Sequence, residues 1–197
     1  MLKLLRAIIG VVMLTGLTVS AQAQDWPEQR WQCAPFARLA SGIQIFGNAG
    51  TWWHQADGRY ERGNTPEAGA VLVFKAAGKM RVGHVAMVTG IIDSRTITVT
   101  HANWSPINGS RGQVEEDVQA VDVSPNNDWT EVRVWYAPIG EIGTSEHPTY
   151  GFVYPDQQAQ QLAWARKPAQ ALFQTASAPM LDDAIGDLIA ATSNVIS

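Results

Sequence analysis

The sequence predicts an α+β fold in which N-terminal helices pack on an antiparallel β-sheet. Two observations support this class. Helical spacing of apolar residues begins at Cys33, and a succession of short strand-like segments fills residues 66–137. A plausible turn at Asp93-Ser94 separates two of these segments, as in a hairpin. Helices followed by strands are typical of an α+β domain.

The first predicted helix covers Cys33–Ala40. Pro35 falls in its first turn, where the missing backbone N–H of proline costs nothing, and Gly42 is placed to end the helix. Phe36 and later apolar residues recur at helical spacing. A second short helix is predicted over residues 51–56.

The strand predictions depend on alternation and on β-branched residues. In residues 83–89, His84, Ala86 and Val88 fall on one side of the strand. The predicted strands are 70–74, 83–89, 97–101, 118–123 and 132–136.

The sequence at the N-terminus predicts an export signal that covers residues 1–23. Lys3 and Arg6 precede an apolar stretch over residues 7–19, and Ala21-Gln22-Ala23 has the small-x-small pattern of a cleavage site. The apolar stretch is shorter than the roughly 20 residues that span a bilayer as a helix, although a retained signal anchor stays open. We therefore expect a periplasmic or secreted protein without stable membrane insertion after cleavage.

Charge and length limit the remaining possibilities. Removing Lys3 and Arg6 leaves 12 basic residues against 18 acidic ones, a net charge near −6. Such a balance argues against nucleic acid as a partner, because nucleic acid is approached through basic patches. We expect one catalytic domain over residues 24–140 and a partly helical C-terminal extension of unknown function over residues 141–197. An apolar helical stripe along residues 181–189 indicates either a helix that docks on a partner protein or a loosely attached tail.

Cys33 is the single cysteine of the chain. In an oxidising compartment cysteines usually pair, so a lone one is a buried hydrophobe, a handle for an intermolecular disulfide or a reactive thiol. Its place at a helix start favours the reactive thiol, since the helix dipole and a nearby imidazolium lower the pKa of a thiol. His84 on the second strand is the candidate base. His101 and Asn103, at the end of the next strand, are candidates to orient it.

Two further predictions concern a substrate groove and a metal site. Trp104 and Trp53 are candidate substrate-binding residues that could line a groove, although large aromatics also serve as core. His54 and Asp57 could share a helix face, but two ligands do not make a zinc site, so we predict no metal and no cofactor.

Three stretches together resemble the CHAP family (cysteine, histidine-dependent amidohydrolases/peptidases), within the papain-like group that includes NlpC/P60 peptidases. They are residues 32–38, residues 66–74 with 83–88, and residues 97–104. The resemblance implies a papain-like fold, Cys33 as nucleophile, His84 as general base and a third polar residue at His101 or Asn103. Many family members carry Glu where this chain has His101, and His is closer to the Cys-His-His pattern of NlpC/P60 enzymes. We predict that His101 orients His84 and that Asn103 supports it.

The resemblance also implies a function. We expect an exported cysteine amidase or peptidase that cleaves amide bonds in peptidoglycan or muropeptides through a thioester acyl-enzyme. Two alternatives stay open: a non-catalytic CHAP-like module that binds cell wall or a partner protein, and an amidase acting on a small-molecule amide.

Overall fold

The computed structural model describes residues 26–165 of the 197-residue chain. The predicted signal peptide and the apolar stripe at residues 181–189 lie outside the described residues. The helices are α1 (Cys33–Ser41), α2 (Trp52–Gln55) and α3 (Gln157–Ala165), with a 3-10 turn at Ala49–Thr51. The strands are β1 (Arg62–Gly63), β2 (Val71–Phe74), β3 (His84–Ile91), β4 (Thr96–Ala102), β5 (Val114–Asp122), β6 (Glu131–Tyr136), β7 (Glu141–Ile142) and β8 (His147–Val153). Within residues 26–165, the helices are too short or too polar to cross a membrane.

Six of the strands form a closed β-barrel. The hydrogen-bonded order runs β8-β2-β3-β4-β5-β6, and β6 pairs again with β8. The predicted α+β arrangement of helices on an open antiparallel sheet is therefore wrong. The described part of the chain is mostly β-sheet, and its three α-helices are short. Closure gives each barrel strand a hydrogen-bonded neighbour on both sides, which removes the free edges of an open sheet.

Strand β8 closes the barrel because it pairs along both of its edges. Its end pairs with β2, where Phe152 is opposite Leu72, and its start pairs with β6, where His147 is opposite Val132. Residues 147–153 include a proline and a glycine, which weaken the sequence pattern of a strand. For this reason the sequence does not predict β8. The closing strand lies within the predicted C-terminal extension, residues 141–197.

The barrel separates two hydrophobic cores. Alternate residues of its strands point inward and form the inner core, which includes Leu72, Ala86, Val99 and Phe152. The opposite faces of β2, β3 and β8 pack against α1 and α2 and form the outer core, which includes Val85 and Trp52. Because side chains alternate along a strand, β3 contributes to both cores at successive positions.

The predicted first helix and the predicted hairpin are confirmed. Helix α1 begins at Cys33, and it ends at Ser41, just before Gly42, whose backbone N–H donates to the carbonyl of Arg38. Strands β3 and β4 pair in antiparallel orientation, with Val88 opposite Val99. These two elements bring the beginning of α1, the beginning of β3 and the end of β4 to one side of the molecule.

Gly151 offers a test of barrel closure. Its φ is 126°, and a Cβ atom there would lie 2.5 Å from the carbonyl oxygen of Gly63. We expect Gly151→Ala to lower the free energy of unfolding by about 3 kcal/mol, because backbone strain adds to a backbone clash. Urea unfolding measures the loss. The matched control is Gly140→Ala, where φ is 66° but nothing lies within 4 Å of the added Cβ; its loss should be only about 1 kcal/mol. Equal losses in the two variants would contradict this account of β8.

Candidate active site

Cys33 is the first residue of α1 and is partly exposed. Its side chain packs against the core cluster that includes Val85, and the backbone N–H groups of Val85, Ala34 and Cys33 itself lie close enough to the sulfur to favour its charged form. Val85 directly follows His84 along β3. The helix start and the strand start therefore meet, and the thiol lies beside the backbone that carries His84.

The approach of the chain to β3 depends on Gly83. Its φ is 73°, and a Cβ atom there would lie 2.5 Å from the backbone nitrogen of Gly50 and 2.7 Å from the carbonyl oxygen of Phe74. No other residue fits this left-handed, crowded position without displacing backbone. Gly83 thus fixes where β3 begins and where His84 is placed.

His84 and His101 contact each other across neighbouring strands. The Nε2 atom of His84 lies 3.0 Å from Nδ1 of His101. His84 is 4% exposed and His101 is fully buried. Since this contact uses Nε2 of His84, the other ring nitrogen, Nδ1, is the one that remains for a reacting group, and it accepts a proton when the ring carries its own proton on Nε2.

Both imidazoles are neutral at neutral pH. Burial lowers the pKa of His101 to about 3. Burial also lowers the pKa of His84 well below its ordinary value, and the electrostatic effect of His101, His147 and Arg111 lowers it further. A hydrogen bond between two neutral rings contains one proton, so the tautomer of one ring determines the tautomer of the other.

The pKa of Cys33 does not follow the sequence expectation of a lowered value. Burial raises the pKa of the thiol, and the backbone N–H groups of Val85, Ala34 and Cys33 only partly oppose that rise. Burial disfavours the charged form of a group, and here it outweighs the hydrogen bonds that favour the thiolate. At rest, therefore, Cys33 is a thiol and His84 is a neutral imidazole, rather than a thiolate and an imidazolium.

Asn103 contacts the residue before Cys33 instead of His84. Its side-chain Nδ2 donates to Oε1 of Gln32 at 2.8 Å, and its backbone N–H donates to the carbonyl of Gln113. Its φ is 65°, a left-handed conformation that asparagine tolerates better than most residues. Asn103 thus links the end of β4 to the start of α1. It supports the site through the backbone around Cys33 and not through contact with His84.

The two candidate tryptophans lie in different places. The ring of Trp104 is 4.8 Å from that of His84 and 5.5 Å from that of His101, centroid to centroid, and its Nε1 donates to the carbonyl of Trp135. Trp104 therefore covers the histidine pair. Trp53 instead stacks on Tyr150, with the guanidinium of Arg62 over its ring.

Sequence reasoning missed His147, at the start of β8. Its ring centroid is 4.9 Å from that of Trp104, and burial lowers its pKa. Only barrel closure brings β8 to the histidine pair, so no local signal could have identified this neighbour. Across residues 26–165, no three His, Cys, Asp or Glu side chains converge as a ligand set for a metal ion.

Comparison with known protein families finds a match in the first half of the chain. Residues 23–103 match the family model of the CHAP domain, which confirms the resemblance seen in the sequence. This range includes Cys33, His84 and His101, and it ends at Asn103. The match supports a hydrolase of the amidase or peptidase type.

No curated protein matches the chain. Among solved structures, an N-acetylmuramoyl-L-alanine amidase from Staphylococcus aureus resembles it with a TM-score of 0.36 and 23% identity, over 60% of this chain and 30% of that chain. The chain thus spans less than a third of that protein's length.

Burial of neutral His101 should make the fold sensitive to acid. Its folded pKa lies below the ordinary value, so unfolding takes up a proton and stability falls as pH drops from about 6.5 towards about 3. We expect His101→Gln to have a shallower pH dependence of unfolding free energy than the wild type, by up to about 1.4 kcal/mol per pH unit. Urea unfolding at several pH values in this window measures both slopes. Identical slopes would show that His101 is not held neutral by burial.

Proposed function

We propose that this chain, whose residues 23–103 match the CHAP domain, is an exported cysteine amidase or peptidase that hydrolyses amide bonds in peptidoglycan. The observation that carries the proposal is the convergence of three groups at one end of the barrel. The Cys33 thiol lies against the backbone after His84, and His84 is hydrogen-bonded to His101. A nucleophile, a base and an orienting group are the parts that covalent amide hydrolysis needs.

The first half of the reaction forms a thioester. His84 is neutral, so Nδ1 takes the proton from Cys33 as the sulfur attacks the amide carbonyl. Backbone N–H groups at the start of α1 stabilise the oxyanion that develops. The imidazolium of His84 then donates its proton to the leaving amine, the C–N bond breaks, and the acyl group stays on Cys33.

The second half releases the acid. A water molecule gives a proton to Nδ1 of His84 and attacks the thioester carbonyl, and the carbon–sulfur bond breaks. The sulfur leaves as thiolate and recovers the proton from His84. Because burial raises the pKa of Cys33, this thiolate is a strong proton acceptor, and the site returns to its neutral resting state.

Peptidoglycan is the proposed substrate for two reasons. The CHAP resemblance implies it, and an export signal at residues 1–23 would bring the enzyme to the compartment where cell wall is found. The proposed cleavage lies in the stem peptide or at the amide that joins peptide to glycan. The same chemistry would act on a small-molecule amide, which is why the substrate test below identifies the bond.

A non-catalytic wall-binding or partner-binding module is the second candidate. One observation favours it: burial raises the pKa of Cys33, as in an inert structural thiol. The two candidates predict different effects of removing the Cys33 sulfur. An enzyme loses its activity, whereas a binding module changes only in packing.

Digestion of purified sacculi tests the proposal. We expect the wild-type protein to release muropeptides with new amine and carboxyl termini, and mass spectrometry of these termini identifies the bond. Cys33→Ala should lower release by at least about 1,000-fold, because the nucleophile is lost. The variant keeps the helix start, since alanine is a good helix former.

His84→Gln is the second variant, and His54→Gln is its matched control on an exposed position of α2. We expect His84→Gln to lower release by a factor similar to Cys33→Ala, and His54→Gln to keep wild-type release. Undiminished release by Cys33→Ala would refute the enzyme proposal. Binding of sacculi without release by the wild type would favour the non-catalytic module.

A further inference from the structure

Glu115 on β5 carries a buried carboxylate that the mechanism above does not use. Glu115 is only 6% exposed. One oxygen, Oε1, accepts the backbone N–H of Ser105 at 2.7 Å. The other oxygen, Oε2, is buried and has no hydrogen-bond partner among residues 26–165. A buried carboxylate oxygen without a partner is costly, so its position calls for an explanation.

His101 has a matching unpaired atom. Its Nε2 is also buried and without a hydrogen-bond partner in the described part of the chain. His101 and Glu115 are directly opposite each other in the antiparallel pairing of β4 with β5. Strand β4 lies between β3 and β5, so His101 is flanked by His84 on one side and by Glu115 on the other.

The register places these two side chains next to each other, although the structure has no hydrogen bond between the two unpaired atoms. Directly opposite residues of an antiparallel pair point to the same face, with Cβ atoms about 4.5–5.5 Å apart. A carboxylate only accepts hydrogen bonds, whereas Nε2 of a neutral imidazole either donates or accepts. With Glu115 as a carboxylate, the pair is satisfied by the arrangement in which Nε2 of His101 carries the proton and donates it to Glu115.

We propose that a rotation of these neighbouring side chains pairs the two atoms, so that Glu115 is a positioning residue that accepts a hydrogen bond from Nε2–H of His101 and thereby fixes the tautomers of both site histidines. With its proton on Nε2, His101 offers a lone pair at Nδ1. His84 must then donate from Nε2 across the 3.0 Å contact, which leaves its Nδ1 unprotonated. This is the form that takes the proton from Cys33, so the inference rests on the proposed function.

The simpler role for Glu115 is to hold the segment after Trp104 through Ser105. Glu115→Gln separates the two roles. The amide keeps an oxygen that accepts from Ser105, while its NH₂ group, a donor, replaces the second carboxylate oxygen. A donor facing Nε2 of His101 favours a lone pair there. The proton of His101 then lies on Nδ1 and is donated to Nε2 of His84. The proton of His84 therefore lies on its Nδ1, and this nitrogen can no longer accept the proton of Cys33.

The experiment reads the tautomers directly. The full chain is labelled with ¹⁵N-histidine, and long-range ¹H–¹⁵N correlation spectra at neutral pH report which ring nitrogen of His101 and His84 is protonated. In the wild type we expect both rings protonated on Nε2. In Glu115→Gln we expect both rings protonated on Nδ1, with muropeptide release about 10–100-fold lower and Ser105 still bound.

Asp122→Asn is the matched control. Asp122 lies on the same strand, is 2% exposed and accepts the backbone N–H of Ser124 through Oδ1, so the substitution places a similar amide in a similarly buried position. We expect wild-type tautomers and wild-type release from this variant.

Two outcomes would overturn the proposal. The first is a wild-type His101 protonated on Nδ1, which decides the matter even if Glu115→Gln does not fold. The second is a folded Glu115→Gln variant with unchanged tautomers. The tautomers need no substrate to be read, so failure of the proposed enzyme activity would be seen separately, as a wild-type protein with the expected tautomers and no muropeptide release.

Discussion

The contact between Nε2 of His84 and Nδ1 of His101 joins two neutral rings through one proton, and the candidate site depends on it. Burial keeps both rings uncharged, with the pKa of His101 at about 3. A neutral His84 can act as a base towards Cys33, which burial keeps as a thiol. The same burial that makes the thiol a poor resting nucleophile thus keeps His84 in the unprotonated form that can accept the proton of the thiol. Charge appears only when a substrate carbonyl and the N–H groups of α1 are present to stabilise it.

The barrel provides the burial on which this arrangement depends. Strand β8 pairs with both β2 and β6, so the sheet has no free edge beside the histidines. Closure places His147 next to Trp104, and Trp104 in turn packs on His84 and His101. An open sheet would leave these rings exposed to water, and their pKa values would move back towards the ordinary value. The acid sensitivity of the fold and the neutral state of His84 therefore have one physical origin.

Local signals in the sequence predicted the parts of the structure that are local. Pro35 and Gly42 set the bounds of the first helix, and the alternation around His84 indicated a strand that pairs with the next one. Closure by β8 could not be predicted, because Pro148 and Gly151 interrupt its pattern and its two partners are far away in the chain. The same limit applies to Glu115, whose place opposite His101 follows from a register that contains a shift between Val99 and His101. The raised pKa of Cys33 was missed because burial, unlike a helix start, is not a local property.

The central claim is that Cys33 carries the acyl group during amide hydrolysis. Acid quenching of the protein during turnover of muropeptides, followed by mass spectrometry of the peptide that contains Cys33, tests this claim most directly. The account predicts a mass increase equal to the acyl fragment of the substrate, located on Cys33 and removed by hydroxylamine, as expected for a thioester. Product release with Cys33 unmodified at every time point, under conditions where deacylation is slowed, would contradict it.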